Sequence, residues 1–247
     1  MPNTFWESFS VLVTVLFEEK GDEEKQSIFI KACENGDIGI VHMLLEYTGF
    51  DPSSDENAMY VASENGHVAI VDRLLLVLKE PFYNIISAIR VACENGHVAV
   101  VDRMLQDDRV KPFSDVNSAF SNACEKGHIA IVERLLQDDR VCMCITAENN
   151  YALRCASVIG HIAVVDRLLQ ESMTCMPVCD IKEAIRLSSK RGHADIVYLL
   201  LQDERILNDV NIDLDWTIDF GWIIKVARQD GYLDVVNILL QFVRSTL

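Results

Sequence analysis

Apolar and polar residues follow a pattern that repeats seven times along the chain. Each copy is centred on a glycine, in the segments ACENGD, ASENGH, ACENGH, ACEKGH, ASVIGH, SSKRGH and ARQDGY. The glycines are Gly36, Gly66, Gly96, Gly127, Gly160, Gly192 and Gly231, with spacings of 30, 30, 31, 33, 32 and 39 residues. A sustained period of this length is typical of proteins built from stacked supersecondary units.

After each glycine, the apolar positions have helical spacing. The second residue is usually a large apolar one, the fifth is always valine, and the eighth and ninth are leucine or methionine, as in Ile129, Val132, Leu135 and Leu136. Residues three or four positions apart share one face of an α-helix. The pattern therefore predicts a helix that buries these positions and exposes intervening pairs such as Asp72-Arg73.

Before each glycine lies another helical pattern. A small residue stands four positions earlier and a large apolar one seven positions earlier, as in Ala123 and Phe120. The polar residues nine positions earlier are predicted N-caps; they are Ser27, Asn57, Ser87 and Ser118. The glycine suits a left-handed turn. Each unit is therefore predicted to be a short helix, a tight turn, a longer helix and a loop.

These features together resemble the ankyrin repeat, with its small-residue pair, Gly-His turn, valine or isoleucine and doubled leucine. The resemblance covers about residues 25–247. It implies an all-α solenoid of about seven helix-turn-helix repeats. The family's Thr-Pro-Leu-His is absent, and the corresponding segments read Ser-Ala-Ile-Arg (87–90), Ser-Ala-Phe-Ser (118–121) and Tyr-Ala-Leu-Arg (151–154). We therefore expect the same helix pairs with short or degenerate β-hairpin loops.

One such unit cannot bury both of its apolar faces, but stacked neighbours can. We therefore predict a single domain over residues 1–247. Residues 1–26 are predicted to form an N-terminal cap with a capping helix at 5–18. The repeats span about 27–56, 57–86, 87–117, 118–150, 151–180, 181–213 and 214–247.

The charge and composition narrow the choice of partner. The formal net charge is -16, and an acidic surface repels nucleic-acid phosphates. No segment reaches the roughly 18 consecutive apolar residues of a membrane helix, and the N-terminus lacks signal-peptide features. We therefore expect a monomer in the cytoplasm, with the nucleus as the alternative, that binds neither nucleic acid nor membrane. In that setting the eight cysteines are expected to be reduced thiols.

The histidines after the turn glycines invite a metal or catalytic interpretation. They are His67, His97, His128, His161 and His193. Equivalent positions in adjacent repeats lie about 10 Å apart, whereas zinc ligands lie about 2 Å from the ion. We therefore predict hydrogen bonds to neighbouring turns. Acid pairs such as Asp107-Asp108 and Asp138-Asp139 are assigned to solvated loops. No nucleophile motif, phosphate loop or dinucleotide fingerprint is present, so neither catalysis nor a cofactor is expected.

Seven of the eight cysteines fall into two groups. Those in the slot three residues before the glycine alternate with serine, which indicates a requirement for small size. A second group, expected in two adjacent loops, is Cys142, Cys144, Cys175 and Cys179. Four thiolates there can hold zinc or form disulfides, but their spacing is not a standard zinc pattern. Free loop thiols are the main interpretation, and a zinc- or redox-responsive site is the alternative.

The family resemblance implies that a partner protein binds the concave side, through loop tips and the exposed edge of the first helix. The two residues before the turn glycine lie on that edge. They include a row of carboxylates, an apolar pair and a basic pair: Glu34, Glu64, Glu94, Glu125, Val158, Ile159, Lys190 and Arg191. We predict an apolar hot spot at the apolar pair and a partner with a basic or mixed apolar-basic surface. The alternatives are a merely solvated acidic edge and an apolar pair packed against a neighbouring loop.

An insertion lengthens the connection between the sixth and seventh glycines. Its segment 203–222 contains Trp216 and Trp222. Insertions in repeat arrays map to one loop face, which is often the binding face. Trp216 is therefore a candidate for partner binding or for covering the C-terminal end of the core, whereas Trp222 is expected to be packed.

Overall fold

A computed structural model of the chain describes residues 20–46, 50–52, 57–78, 82–109, 115–138, 145–171, 177–208 and 214–246. The predicted capping helix at 5–18 lies outside these residues, as does most of each predicted hairpin loop. The described residues form helices and contain no strand, which confirms the all-α class. No described helix has both the length and the apolar character needed to cross a bilayer.

The described residues contain fifteen helices. They are α1 (Asp22–Asn35), α2 (Ile38–Glu46), α3 (Asn57–Glu64), α4 (Val68–Val77), α5 (Phe82–Asn95), α6 (Val98–Leu105), α7 (Asp115–Lys126), α8 (Ile129–Leu136), α9 (Ile145–Ile159), α10 (Ile162–Glu171), α11 (Val178–Arg191), α12 (Ala194–Leu201), α13 (Glu204–Leu207), α14 (Leu214–Gln229) and α15 (Leu233–Thr246).

The seven glycines turn the chain between the two helices of each pair. All have positive φ, from 76° to 107°, a conformation that L-residues with a side chain adopt only at a cost. The N–H of the next residue closes the turn on the carbonyl of the small residue before the glycine, as from His67 to Ala62 over 2.8 Å. The left-handed turn predicted from sequence is confirmed.

Within the compact unit Met1–Ala119, each helix pair contacts the next pair along the chain. The first helix of each pair packs on the next first helix, so that α3 contacts α1 and α5. The second helices follow the same order, with α4 contacting α2 and α6. Ala62 and Ala92 are fully buried, and their small side chains permit this close approach.

The second compact unit, Phe120–Leu247, shows the same order of contacts. Helix α11 packs on α9 and α14, while α10 contacts α8 and α12. The rings of Phe220 and Phe242 stack at 5.7 Å and join α14 to α15. The one-turn helix α13 contacts α11 and α12. The prediction of one domain over 1–247 stays a prediction.

The core confirms most of the predicted positions and corrects one. The fifth and eighth residues after each glycine are buried in all seven pairs. The second residue is not a core position, because Ile162 and Leu233 are 44% and 62% exposed. The fourth residue, as in Ile131 and Val164, is buried instead in six of the seven pairs. Successive residues of an α-helix are rotated by about 100°, so the fourth, fifth, eighth and ninth residues after the glycine share one helix face. The second residue lies at the edge of that face.

The predicted helix lengths are wrong, because the first helix is longer than the second in every pair except α3–α4. The N-cap predictions at Ser27, Ser87 and Ser118 are also wrong, since these residues lie inside α1, α5 and α7. Where ankyrin repeats have a proline, the chain has Ala88 and Ala119. Proline would clash with the carbonyl four residues earlier, whereas alanine lets the helix extend toward its N-terminus. Several predicted repeat boundaries, among them 86/87 and 117/118, fall inside these helices.

The loop after α6 carries a contact that the sequence interpretation missed. Asp107, which the sequence predicts to be a solvated loop charge, accepts hydrogen bonds from the Arg109 guanidinium at 2.7 and 2.8 Å. Arg109 also donates to the carbonyls of Leu75 and Leu78 at the end of α4 in the preceding pair. Those carbonyls lack partners within their own helix. The Asp-x-Arg segment therefore fastens one pair to the next.

The same contact recurs after α12. Arg205 donates to both carboxylate oxygens of Asp203 and to the carbonyl of Leu169, at the end of α10 in the preceding pair. Burial alone would raise the pKa of Asp203, but the side-chain and backbone N–H groups of Arg205 outweigh it and lower that pKa. The recurrence indicates a structural role for this loop motif.

Candidate functional site

Histidines after the turn glycines form hydrogen bonds to the backbone of the edge on which a partner is predicted to bind. The Nε2 of His67 lies 2.9 Å from the carbonyl oxygen of Glu34, and His97 bonds Glu64 at 2.8 Å. Because a carbonyl can only accept, Nε2 carries the proton. The structural hydrogen bond predicted for these histidines is confirmed here and at His161 and His193.

In the first unit, the residue two positions before each turn glycine is a glutamate. Glu34, Glu64 and Glu94 are exposed on α1, α3 and α5. The adjacent asparagines differ, since the side-chain amides of Asn65 and Asn95 donate to the backbone carbonyls four residues earlier, at Val61 and Val91. The carboxylates are thus the outward-facing acidic groups of this edge, as predicted.

In the second unit, the corresponding edge contains a groove of about 470 Å³. Its apolar lining consists of Tyr151, Val158, Ile159 and Leu187. Ile159 is 46% exposed and Val158 is half-buried. The predicted apolar pair therefore lines an accessible surface, and the isoleucine is not covered by a neighbouring loop of the described chain.

Charged groups surround this apolar lining unevenly. Glu125 lines the groove from α7, while Arg154 of α9 and Glu183 of α11 also line it. Glu183 accepts hydrogen bonds from Arg186, which lower the pKa of Glu183, and the positive charge of Arg154 lowers it further. Burial raises the pKa of Asp180 in the first turn of α11, against the opposing effect of Arg154. The charge of Glu183 is thus already compensated within the protein.

Tyr151 and Cys155 form a pair on α9 inside the groove. The hydrogen bond between their side chains is the largest cause of a raised pKa of Tyr151, and the nearby charge of Glu125 contributes as well. The phenol therefore stays protonated and neutral near pH 7. It offers an apolar ring together with a polar hydroxyl, a combination enriched at protein interfaces.

Beyond the groove, the basic pair lies next to an exposed aromatic ring. The Nζ of Lys190 is 4.9 Å from the centre of the Trp222 ring, within the range of a cation–π contact. Arg191 is exposed. Trp222 is 43% exposed, so the prediction that it is packed is wrong, because it lies mid-helix in α14 on the side facing Lys190. Trp216 also belongs to α14, but its side chain lies outside the described part.

The cysteine alternative is not tested, because Cys142, Cys144 and Cys175 lie outside the described residues. Cys179 is described and exposed. Among the residues that the structure describes, no group of three His, Cys, Asp or Glu side chains is arranged to hold a metal ion. The slot cysteines Cys33, Cys93 and Cys124 are buried, in agreement with a requirement for small size.

Sequence reasoning missed several groove residues. Tyr151 and Cys155 stand nine and five positions before Gly160, on the same helical face as Val158 two positions before it. Leu187 stands five positions before Gly192. Steps of four and three share one helix face, so extending the register back from the edge position would have identified them.

No family model matches the chain, and no curated protein shows significant similarity to it. The sequence pattern and the geometry of the site therefore carry the functional argument.

Proposed function

We propose that this chain is an ankyrin-type repeat protein that binds a partner protein and performs no catalysis. The single observation that carries the proposal is the groove on the first-helix edge of the second unit, with Ile159 46% exposed within it. Interface hot spots are apolar or aromatic groups surrounded by polar ones. Ile159, Val158 and Tyr151 have that composition, with Glu125 and Arg154 around them.

The acidic edge of the first unit supports an accessory role. Glu34, Glu64 and Glu94 raise the local negative potential, which accelerates encounter with a basic partner and disfavours an acidic one. Such exposed charges affect the association rate more than the final affinity. The partner is therefore expected to carry basic groups beside the apolar ones that enter the groove.

The test compares two isoleucines of similar exposure. Ile159→Glu puts a charge into the groove, whereas Ile162→Glu puts it on the second helix of the same pair, where the side chain is 44% exposed. A partner captured from the native cell is purified, and its affinity for each variant is measured by calorimetry. We expect at least about a tenfold loss for Ile159→Glu, equal to about 1.4 kcal/mol, and little change for Ile162→Glu.

Far-ultraviolet circular dichroism of both variants checks that the helices are retained. If the wild type and the Ile159→Glu variant bind the partner with equal affinity, the groove is not part of the binding surface.

A further inference from the structure

Three turns of the first unit carry the dipeptide Asn-Gly at the same place. The pairs are Asn35-Gly36, Asn65-Gly66 and Asn95-Gly96, in the segments CENGD, SENGH and CENGH. All three asparagines are exposed at the end of a first helix, and each is followed by a glycine with positive φ. Three sites of nearly identical local sequence can therefore be compared within one protein.

An asparagine followed by glycine can convert itself to an acidic residue. The backbone nitrogen of the glycine attacks Cγ of the asparagine side chain, ammonia leaves, and a cyclic succinimide forms. Water then opens the ring at either carbonyl and gives aspartate or isoaspartate. The net reaction consumes one water molecule and releases one ammonia molecule, so it needs no enzyme and no oxidant. Glycine favours the attack because it has no side chain to obstruct it.

The side chains of the three asparagines are held differently. The Nδ2 of Asn65 donates to the carbonyl of Val61 at 2.8 Å, and the Nδ2 of Asn95 donates to the carbonyl of Val91 at 3.0 Å. These bonds hold each amide toward the preceding turn of its helix, and they must break before Cγ can approach the following peptide nitrogen. The side chain of Asn35 forms no hydrogen bond to any described residue, so it is not restrained in this way.

We propose that Asn35 is a site of spontaneous deamidation and that it reacts faster in the folded protein than Asn65 and Asn95 do. This inference does not depend on the proposed partner. The product places a new carboxylate beside Glu34 on the acidic edge.

The reaction also affects the turn between α1 and α2. The new carboxylate lies at the C-terminal end of α1, where the helix dipole disfavours negative charge. The isoaspartate product lengthens the backbone before Gly36 by one carbon atom. That change displaces the N–H groups of Gly36 and Asp37, which both donate to the carbonyl of Ala32.

The test follows the folded full-length chain during incubation at alkaline pH. Peptide mapping by mass spectrometry, with chromatographic separation of the aspartate and isoaspartate forms, measures the conversion rate at each site. We expect Asn35 to convert about fivefold faster than Asn65 and Asn95, the factor that corresponds to one hydrogen bond of about 1 kcal/mol. An equal or slower rate at Asn35 overturns the inference.

The same chain unfolded in urea is the control. The three rates are expected to converge there, because the local sequences are alike and the helix-end hydrogen bonds are lost. If Asn35 keeps the same advantage in urea, the difference comes from the neighbouring Asp37 and the structural explanation is wrong.

A matched variant tests the effect on the turn. Asn35→Ser removes the reactive amide and leaves the other two sites in place. Over the same incubation, the wild type is expected to lose melting temperature faster than Asn35→Ser does. Equal losses in the two proteins would contradict the proposed effect of the product on the first turn.

Discussion

The Nε2 of His67 lies 2.9 Å from the carbonyl oxygen of Glu34, thirty-three residues earlier in the chain. The imidazole crosses from one turn to the next and rests against Gly36. The His67 side chain thereby satisfies a carbonyl at the end of α1 and packs against Gly36. The Glu34 carboxylate remains exposed to solvent. The same histidine therefore contacts both the turn glycine and the backbone of the candidate binding edge.

Gly36→Ala is expected to destabilise the protein by about 2 kcal/mol or more. Gly36 has φ 83°, and a Cβ there would lie 2.7 Å from the His67 ring, so left-handed strain of about 1–2 kcal/mol adds to a clash. Gly39→Ala is the control, because no atom lies within 4 Å of its Cβ and alanine favours helix by up to about 1 kcal/mol. Urea unfolding measures both, and equal effects would contradict the role of the turn.

Arg109→Ala is expected to lower the free energy of unfolding by about 1–3 kcal/mol, because it removes the guanidinium that donates to the carbonyls of Leu75 and Leu78 and to the carboxylate of Asp107. Arg90→Ala, which alters an exposed side chain of α5, is the control. If both variants unfold at the same urea concentration, the loop contact contributes nothing.

The contribution of Arg109 is expected to depend on pH. Its side-chain hydrogen bond lowers the pKa of Asp107 below the ordinary value of 3.8. The unfolded chain therefore binds a proton before the folded one does, and the stabilisation present above that value is lost as the pH falls through the lowered pKa. The stability difference between wild type and Arg109→Ala should shrink in acid. A difference that stays constant from neutral pH down to about pH 2 would oppose this assignment.

Two adjacent buried serines are expected to respond differently to alanine. Both are fully buried, but the Ser188 hydroxyl donates to the Ala184 carbonyl at 2.7 Å, whereas the Ser189 hydroxyl has no hydrogen-bond partner among the described residues. Ser189→Ala should stabilise the protein by about 1 kcal/mol, because burying an unsatisfied hydroxyl is unfavourable. Ser188→Ala should be neutral or destabilising. The melting temperatures of the two variants, measured by thermal unfolding, check this. A higher melting temperature for Ser188→Ala than for Ser189→Ala would contradict the assignment.

The cysteines are expected to differ in reactivity toward iodoacetamide. Burial raises the pKa of both Cys33 and Cys93 to about 12, so neither forms appreciable thiolate near pH 8, whereas Cys179 is exposed. Peptide mapping should find Cys179 labelled first and the other two only on unfolding. Rapid labelling of Cys33 in the folded protein would contradict its burial.

The same thiols are expected to reduce stability at high pH. Their folded pKa lies above the ordinary value of 9.0, so the neutral thiol is favoured in the folded state. The resulting stabilisation is complete below pH 9 and is lost as the pH rises toward about 12. Cys93→Ser should weaken this alkaline dependence in urea unfolding, and an unchanged dependence would assign it to other groups.

Local chemistry made some features predictable from sequence. Each turn requires a positive φ, which glycine adopts readily and other residues avoid. The valine five positions later lies on the buried face of its helix, and this does not depend on where the helix ends. Both follow from backbone sterics and helical periodicity, which act over a few residues. The histidine contacts were also predictable, because the repeat places equivalent turns next to each other.

The sequence by itself therefore determined the helix pairs, their turns, most of the core and the edge that contains Val158 and Ile159. The tertiary structure alone decided that Ile159 opens into a groove with Tyr151 and Leu187, that Lys190 lies against Trp222, and that Arg109 reaches the carbonyls of the preceding pair. These contacts bring together groups from neighbouring helix pairs, and their formation depends on how long flexible side chains pack between those helices. The sequence pattern gives the position of each residue in its helix. It does not give the side-chain conformation that brings the residue into contact with the next helix pair.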